Sequence, residues 1–146
     1  MQLLVNKKAR FEYKIENTMS AGVVLRGGEV KSLRLKSGSL TGSYVKIIGG
    51  ELFLIGAQIT PYKFSDNTDY DPKRTRKLLL KKKEVEQLTI DLEQKKLTLI
   101  PLQFETAGRN IKLVFGIGKG LKQFEKRAKI KERDQKRDLQ RDLKWG

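Results

Sequence analysis

The chain has 146 residues, 38% of them hydrophobic and 34% charged, and its 32 Lys and Arg against 17 Asp and Glu give a formal charge of +15. That length suffices for one domain with a single core, and a charge far beyond what solubility requires points to a polyanionic partner. With no cysteine and no histidine, the chain lacks disulfides, thiolate ligands and the commonest general base and metal ligand, which excludes most catalytic constellations.

No run approaches the roughly 20 apolar residues of a membrane span, and Met1 to Val5 is too short for a signal-peptide core, so a cytoplasmic location without membrane contact is expected. In chain order, Phe11 to Thr18 and Val23 to Leu25 read as strands flanking a Ser20-Ala21-Gly22 turn, a first hairpin. After Gly27-Gly28, the stretch Glu29 to Leu35 sets Val30 and Leu33 on one side of one or two helical turns, with Lys31 and Lys36 outside. Ser43 to Ile48 and Leu52 to Ile59 form a hairpin around Gly49-Gly50, where two residues tolerant of positive φ suit a tight turn. Phe53, Ile55, Ala57 and Ile59 then share one strand face and are read as core.

Pro61 to Pro72 is polar and rich in turn-forming aspartates, a surface loop. Lys77 to Leu80 fits either a docking strand or the start of a helix, since Asp71-Pro72 has the form of an N-cap followed by an N1 proline. Val85, Leu88 and Leu92 fall at helical spacing and predict an amphipathic helix from Lys82 to about Glu93. Two further strands alternate Ile100, Leu102 and Phe104, then Ile111, Leu113, Phe115 and Ile117, with Gly108 between them. Pro101 inside the first has no N–H to donate, so an edge position or a bulge is expected there. Short strands with two helical insertions suggest a mainly β fold, an OB-like antiparallel barrel over residues 1–118.

From residue 119 to 146 the apolar period collapses into a flexible basic tail with eleven basic and five acidic side chains. Alone it is expected to be disordered. As a helix, Lys129, Arg133, Arg137 and Arg141 would form an i, i+4 ridge, read equally as a phosphate-tracking surface or as a charged face held by local ion pairs.

Between Lys73 and Lys83, seven of eleven residues are basic, divided by Leu78-Leu79-Leu80. The paired donors of arginine make Arg74 and Arg76 the stronger candidates for positioned phosphate contacts, the alternative being a solvated charge run. No metal-ligand spacing, phosphate-cradling glycine motif or nucleophile–base pair is present, so no enzyme activity, metal or cofactor is expected. Scattered acids such as Glu12, Glu29 and Glu51 are the weak alternative of a Mg²⁺-dependent nuclease.

Six segments occur in order: NKKARFEY (6–13), GGEVKSLR (27–34), GSYVKI (42–47), ITPY (59–62), DPKRTRKLLL (71–80) and KGLKQFEKR (119–127). Together they resemble the SmpB family, SsrA-binding proteins that work with transfer-messenger RNA to rescue stalled bacterial ribosomes, over nearly the whole chain. The resemblance implies an OB-like barrel that binds the tRNA-like domain of transfer-messenger RNA, a tail that enters the ribosomal decoding region and becomes helical there, and no catalytic reaction. A monomer is expected. A direct binder of ribosomal RNA is the competing expectation.

By the same resemblance, Asn6, Leu79 and Lys112 are body-side RNA determinants. The basic residues of the matching segments, Lys7, Lys8, Arg10, Lys31, Arg34, Arg74, Arg76, Lys77 and Lys119, complete the RNA-binding set. Phe124, Lys126, Arg127, Lys129, Arg133, Arg137 and Arg141 are the ribosome-contacting tail residues. Departures are Phe11 for histidine, Ser20 for an acid, Leu121 for lysine, Phe124 for histidine or tyrosine, and Glu125 for the aspartate of the family's Asp-Lys-Arg signature.

Overall fold

The computed structural model describes residues 1–121. The alternating apolar residues at the end of this span build its longest hairpin, β8 (Thr98–Ala107) and β9 (Asn110–Gly120), turned at Gly108 with φ +61°. Upstream lie β1 (Gln2–Val5), α1 (Ala9–Glu12), β2 (Tyr13–Val23), α2 (Gly27–Arg34), β3 (Gly38–Ser39), β4 (Tyr44–Ile48), β5 (Glu51–Ile55), β6 (Gln58–Ile59), β7 (Arg76–Leu79) and α3 (Lys82–Lys95).

The main sheet runs β1-β8-β4-β5-β7-β2-β9, and the β8–β9 pairing closes it into a ring of antiparallel strands. β9 lines one edge of β8, while β4 and β1 share the other. Closure leaves few unpaired strand edges. The inward residues Leu52, Leu54, Leu78, Phe104, Leu113 and Phe115 are buried and form one core with Leu33 of α2 and Leu88 of α3. Deleting a side chain such as Phe104 would cost about 3–5 kcal/mol. No helix among the described residues is long and apolar enough to cross a membrane.

The Gly49-Gly50 hairpin, the helix over 82–95, the strand pair around Gly108 and the loop over 61–72 form where the sequence predicts them. Gly49 and Gly50 both have positive φ, as a tight hairpin turn requires. At Pro101 the β8–β9 register shifts, so the missing donor is absorbed by a bulge and not by an edge. The open alternative at 77–80 resolves to a strand, because Leu78 is buried between β5 and β2.

Three expectations are corrected. Ser20-Ala21-Gly22 is no turn: β2 is continuous over eleven residues, because β9 pairs along it from Tyr13 to Gly22. The small Ala-Gly pair serves close approach instead, with Ala21 buried and Gly22 against Leu79. Residues 9–12, Phe11 among them, form α1 and not strand. The third correction concerns the face assigned to Phe53 and Ile55. Leu52 and Leu54 point inward in their place, and Gly56, with φ +81°, reverses the parity so that Ala57 and Ile59 are buried again.

β9 continues through Gly120, so Lys119 is a strand residue paired with Lys14. Leu121 then donates its N–H to the Glu12 carbonyl at 2.8 Å. Phe124, Lys126, Arg127, Lys129, Arg133, Arg137 and Arg141 lie outside the described residues.

Candidate functional site

Arg74 and Arg76 stand two apart, and in extended chain that spacing turns both side chains the same way. They converge on Glu29, the third residue of α2, whose carboxylate also accepts the Arg26 N–H at 2.8 Å and so closes the helix N-terminus. Arg76 is fully buried. Its Nε and Nη2 donate to Glu29 Oε2 at 2.9 and 2.6 Å, Nη2 also reaches the Pro72 carbonyl at 2.9 Å, and Nη1 donates to the Ala57 carbonyl. The Tyr70 hydroxyl accepts from Arg76 Nη2 at 3.1 Å and lies 3.1 Å from Glu29 Oε2 and 3.0 Å from the Ile59 carbonyl.

Burial alone would push the Glu29 carboxyl up, but hydrogen bonds from Arg74, the Arg26 N–H and Arg76, together with the Arg76 charge, hold it below the ordinary glutamate range. The same burial and the Glu29 charge raise the Tyr70 phenol. This geometry corrects the reading of Arg76 as a phosphate contact: its donors are committed inside the chain. Arg74, partly exposed, is likewise bonded to Glu29 and to the Val24 and Thr75 carbonyls.

On the outer face, three neighbouring strands set a row. Gly22 of β2 is paired with Leu79 of β7 on one side and with Lys112 of β9 on the other. Leu79 is 52% exposed and Lys112 is exposed. The two line a shallow concavity with Val23, Leu25 and Arg109. Arg34 reaches into the same neighbourhood, donating to the Arg109 carbonyl at 3.3 Å. Apolar surface framed by cations is suited to a folded RNA, whose phosphates take charge and whose sugars and bases take shape.

Asn6 and Lys8 belong elsewhere. They line a second cleft with Tyr13 and Tyr44, and the Asn6 amide is tied to the Pro101 carbonyl at 2.9 Å. Tyr13 and Gly22 are nine residues apart on one strand, which at about 3.3 Å per residue separates the two surfaces by about 30 Å along β2. Lys7 and Arg10 are exposed beside this second cleft, and Lys119 lies across from Lys14 next to Tyr13. Lys31 is exposed on α2, and exposed Lys77 pairs with Glu51 at 3.2 Å.

Arg109 and Tyr70 were not singled out by the sequence, and Glu29 was named only as a scattered acid of the nuclease alternative, not as a partner for arginine. The signal for Glu29 was present: an acid three residues into a helix, with two same-parity arginines downstream. Arg109 sits in a turn and has no periodic signature. Among the described residues no group of His, Cys, Asp and Glu could hold a metal ion.

The chain matches the family model described as SmpB protein over residues 3–145. It is 44% identical to the SsrA-binding protein of Gloeobacter violaceus over 97% of this chain and 93% of that protein. It is 43% identical to the SsrA-binding protein of Streptococcus thermophilus, over 95% and 90%. A solved structure described as "tmRNA-SmpB: a journey to the center of the bacterial ribosome" is similar with a TM-score of 0.68 and 41% identity, covering 84% of this chain and 87% of that one.

Proposed function

The chain belongs to the SmpB family, and on that premise we propose that it binds the tRNA-like domain of transfer-messenger RNA and helps deliver it to stalled ribosomes for trans-translation. The observation that carries this reading is the match over residues 3–145, which runs through the strand ring and on past it. The outward row of Leu79, Gly22 and Lys112 supports it, with Leu79 supplying shape complementarity and Lys112 and Arg34 phosphate charge.

In this reading the ring, residues 1–120, is the RNA-binding body. Asn6, Lys7, Lys8, Arg10 and Lys119 present a second basic surface, Lys31 and Lys77 add charge, and Arg74 and Arg76 act by holding Glu29. The residues after β9 are the tail, with Phe124, Lys126, Arg127, Lys129, Arg133, Arg137 and Arg141 contacting the decoding region. The protein performs no reaction of its own: the RNA carries the alanine, and the protein works as a cytoplasmic monomer without a cofactor.

A truncation after Leu121 tests the division of labour, because it leaves β9 complete. It should retain binding to the tRNA-like domain and lose alanine transfer on stalled ribosomes. Normal transfer by the truncated chain would contradict the role given to the tail.

A further inference from the structure

The loop over 61–72 ends in an aromatic tip that the ring does not use. Phe64 is 76% exposed, whereas phenylalanine is among the residues most often buried. The Lys63 ammonium lies 4.8 Å from the centre of its ring, and Tyr62 meets it edge-on at 5.5 Å between centroids. Isolated exposed apolar residues are ordinary, but this one stands on a braced scaffold. Ser65 donates its N–H to the Tyr62 carbonyl at 3.0 Å, the Asn67 amide reaches the same carbonyl at 2.8 Å, and Asp66 accepts the Thr68 N–H at 3.0 Å. Ser65 also packs so closely on Gly28 of α2 that a Cβ there would sit 2.7 Å from its hydroxyl. The far end of the loop is held by Tyr70 in the Glu29–Arg76 cluster, where Arg26 lies 6.0 Å over the Tyr70 ring.

An exposed ring on a braced backbone, with a cation beside it, matches what an unpaired nucleotide requires: a π-face for the base and a charge for the adjoining phosphate. Bracing the loop beforehand lowers the ordering cost of that contact. We propose that Phe64 is a base-stacking contact for an unpaired RNA nucleotide, with Lys63 on the neighbouring phosphate. This rests on the RNA-binding reading above and adds a surface distinct from the Leu79–Lys112 row.

The test compares full-length wild type with Phe64→Leu, Phe64→Trp and Lys63→Ala. Two RNA probes are used, the isolated tRNA-like domain of transfer-messenger RNA and purified small ribosomal subunits, each at matched salt. Phe64→Leu should bind one of the two about fivefold more weakly, the lower end of what base–aromatic stacking supplies, while Phe64→Trp retains wild-type affinity. Lys63→Ala should weaken the same probe and flatten its salt dependence. The probe that responds identifies the source of the nucleotide. Unchanged affinity of Phe64→Leu for both RNAs overturns the proposal, as does equal loss in Phe64→Trp. If wild type bound neither RNA, the RNA-binding reading itself would fail, an outcome distinct from either.

Discussion

Glu29 and its two arginines set the chemistry of one residue against the stability of the whole ring. A buried carboxylate is tolerable only when paired and fully hydrogen-bonded, and here every lone-pair direction meets a donor from Arg74, Arg76 or the Arg26 backbone. Replacing Glu29 with Gln strands the Arg76 charge, so a loss of about 3–5 kcal/mol is expected at neutral pH, read as a lowered urea midpoint. Because folding lowers the Glu29 pKa, its contribution is complete above the unfolded value of about 4.3 and is lost as pH falls through the lower folded value. The wild-type midpoint should therefore hold from neutral pH to about 4.3 as far as this group is concerned and decline below it, and Glu29→Gln should show a shallower acid decline. An equal decline in both chains would place the acid sensitivity in other carboxylates.

Leu79 and Lys112 predict the opposite pattern, because both are exposed. Leu79→Ala and Lys112→Ala should each shift stability by less than about 0.5 kcal/mol. Both should weaken RNA binding, and Lys112→Ala should lower the slope of log affinity against log salt by about one for its phosphate. A stability loss in Leu79→Ala without a binding defect would make that leucine a packing residue.

Among the elements, β9 closes the ring by pairing with β8 while also pairing with β2, and Gly118 leaves no room for a side chain between β9 and β2. A Cβ on Gly118 would stand 2.0 Å from the Lys14 carbonyl oxygen, whereas on Gly120 its nearest neighbour would be Tyr13 Cε1 at 4.0 Å. Gly118→Ala should therefore cost about 3 kcal/mol, the upper range for overpacking, and Gly120→Ala less than about 0.5 kcal/mol. Chemical denaturation of the two variants side by side measures the difference.

The same strands explain how far the sequence could be read. Alternation in β8 and β9 and the helical spacing of Val85 and Leu88 are local properties that local rules found, and at Pro101 they narrowed the outcome to an edge or the bulge that forms. The eleven-residue β2 was missed because Ala-Gly carries a turn signal by itself, and only pairing along the partner strand β9 holds it extended. The parity reversal at Gly56 is invisible for a related reason: an uninterrupted apolar run does not say which alternate residue faces inward. For the site, exposed cations were legible as a set, but whether an arginine meets phosphate or a buried acid depends on a partner 47 residues away in sequence.

At the scale of the whole molecule, the charge of +15 supplies attraction to any RNA, and the arrangement of the surface has to supply the choice among RNAs. Two basic surfaces about 30 Å apart on one strand suit a folded target that curves around the ring better than a straight duplex. The family match and the outward Leu79–Lys112 row together make selective recognition of the tRNA-like domain the central claim. Its most direct measurement is the affinity of the full chain for that domain, for an ordinary tRNA and for duplex RNA of equal length at one physiological salt concentration. The tRNA-like domain should bind at least about tenfold more tightly than either competitor, a difference of about 1.4 kcal/mol. Equal affinity for all three would contradict it and leave a generic RNA-binding protein.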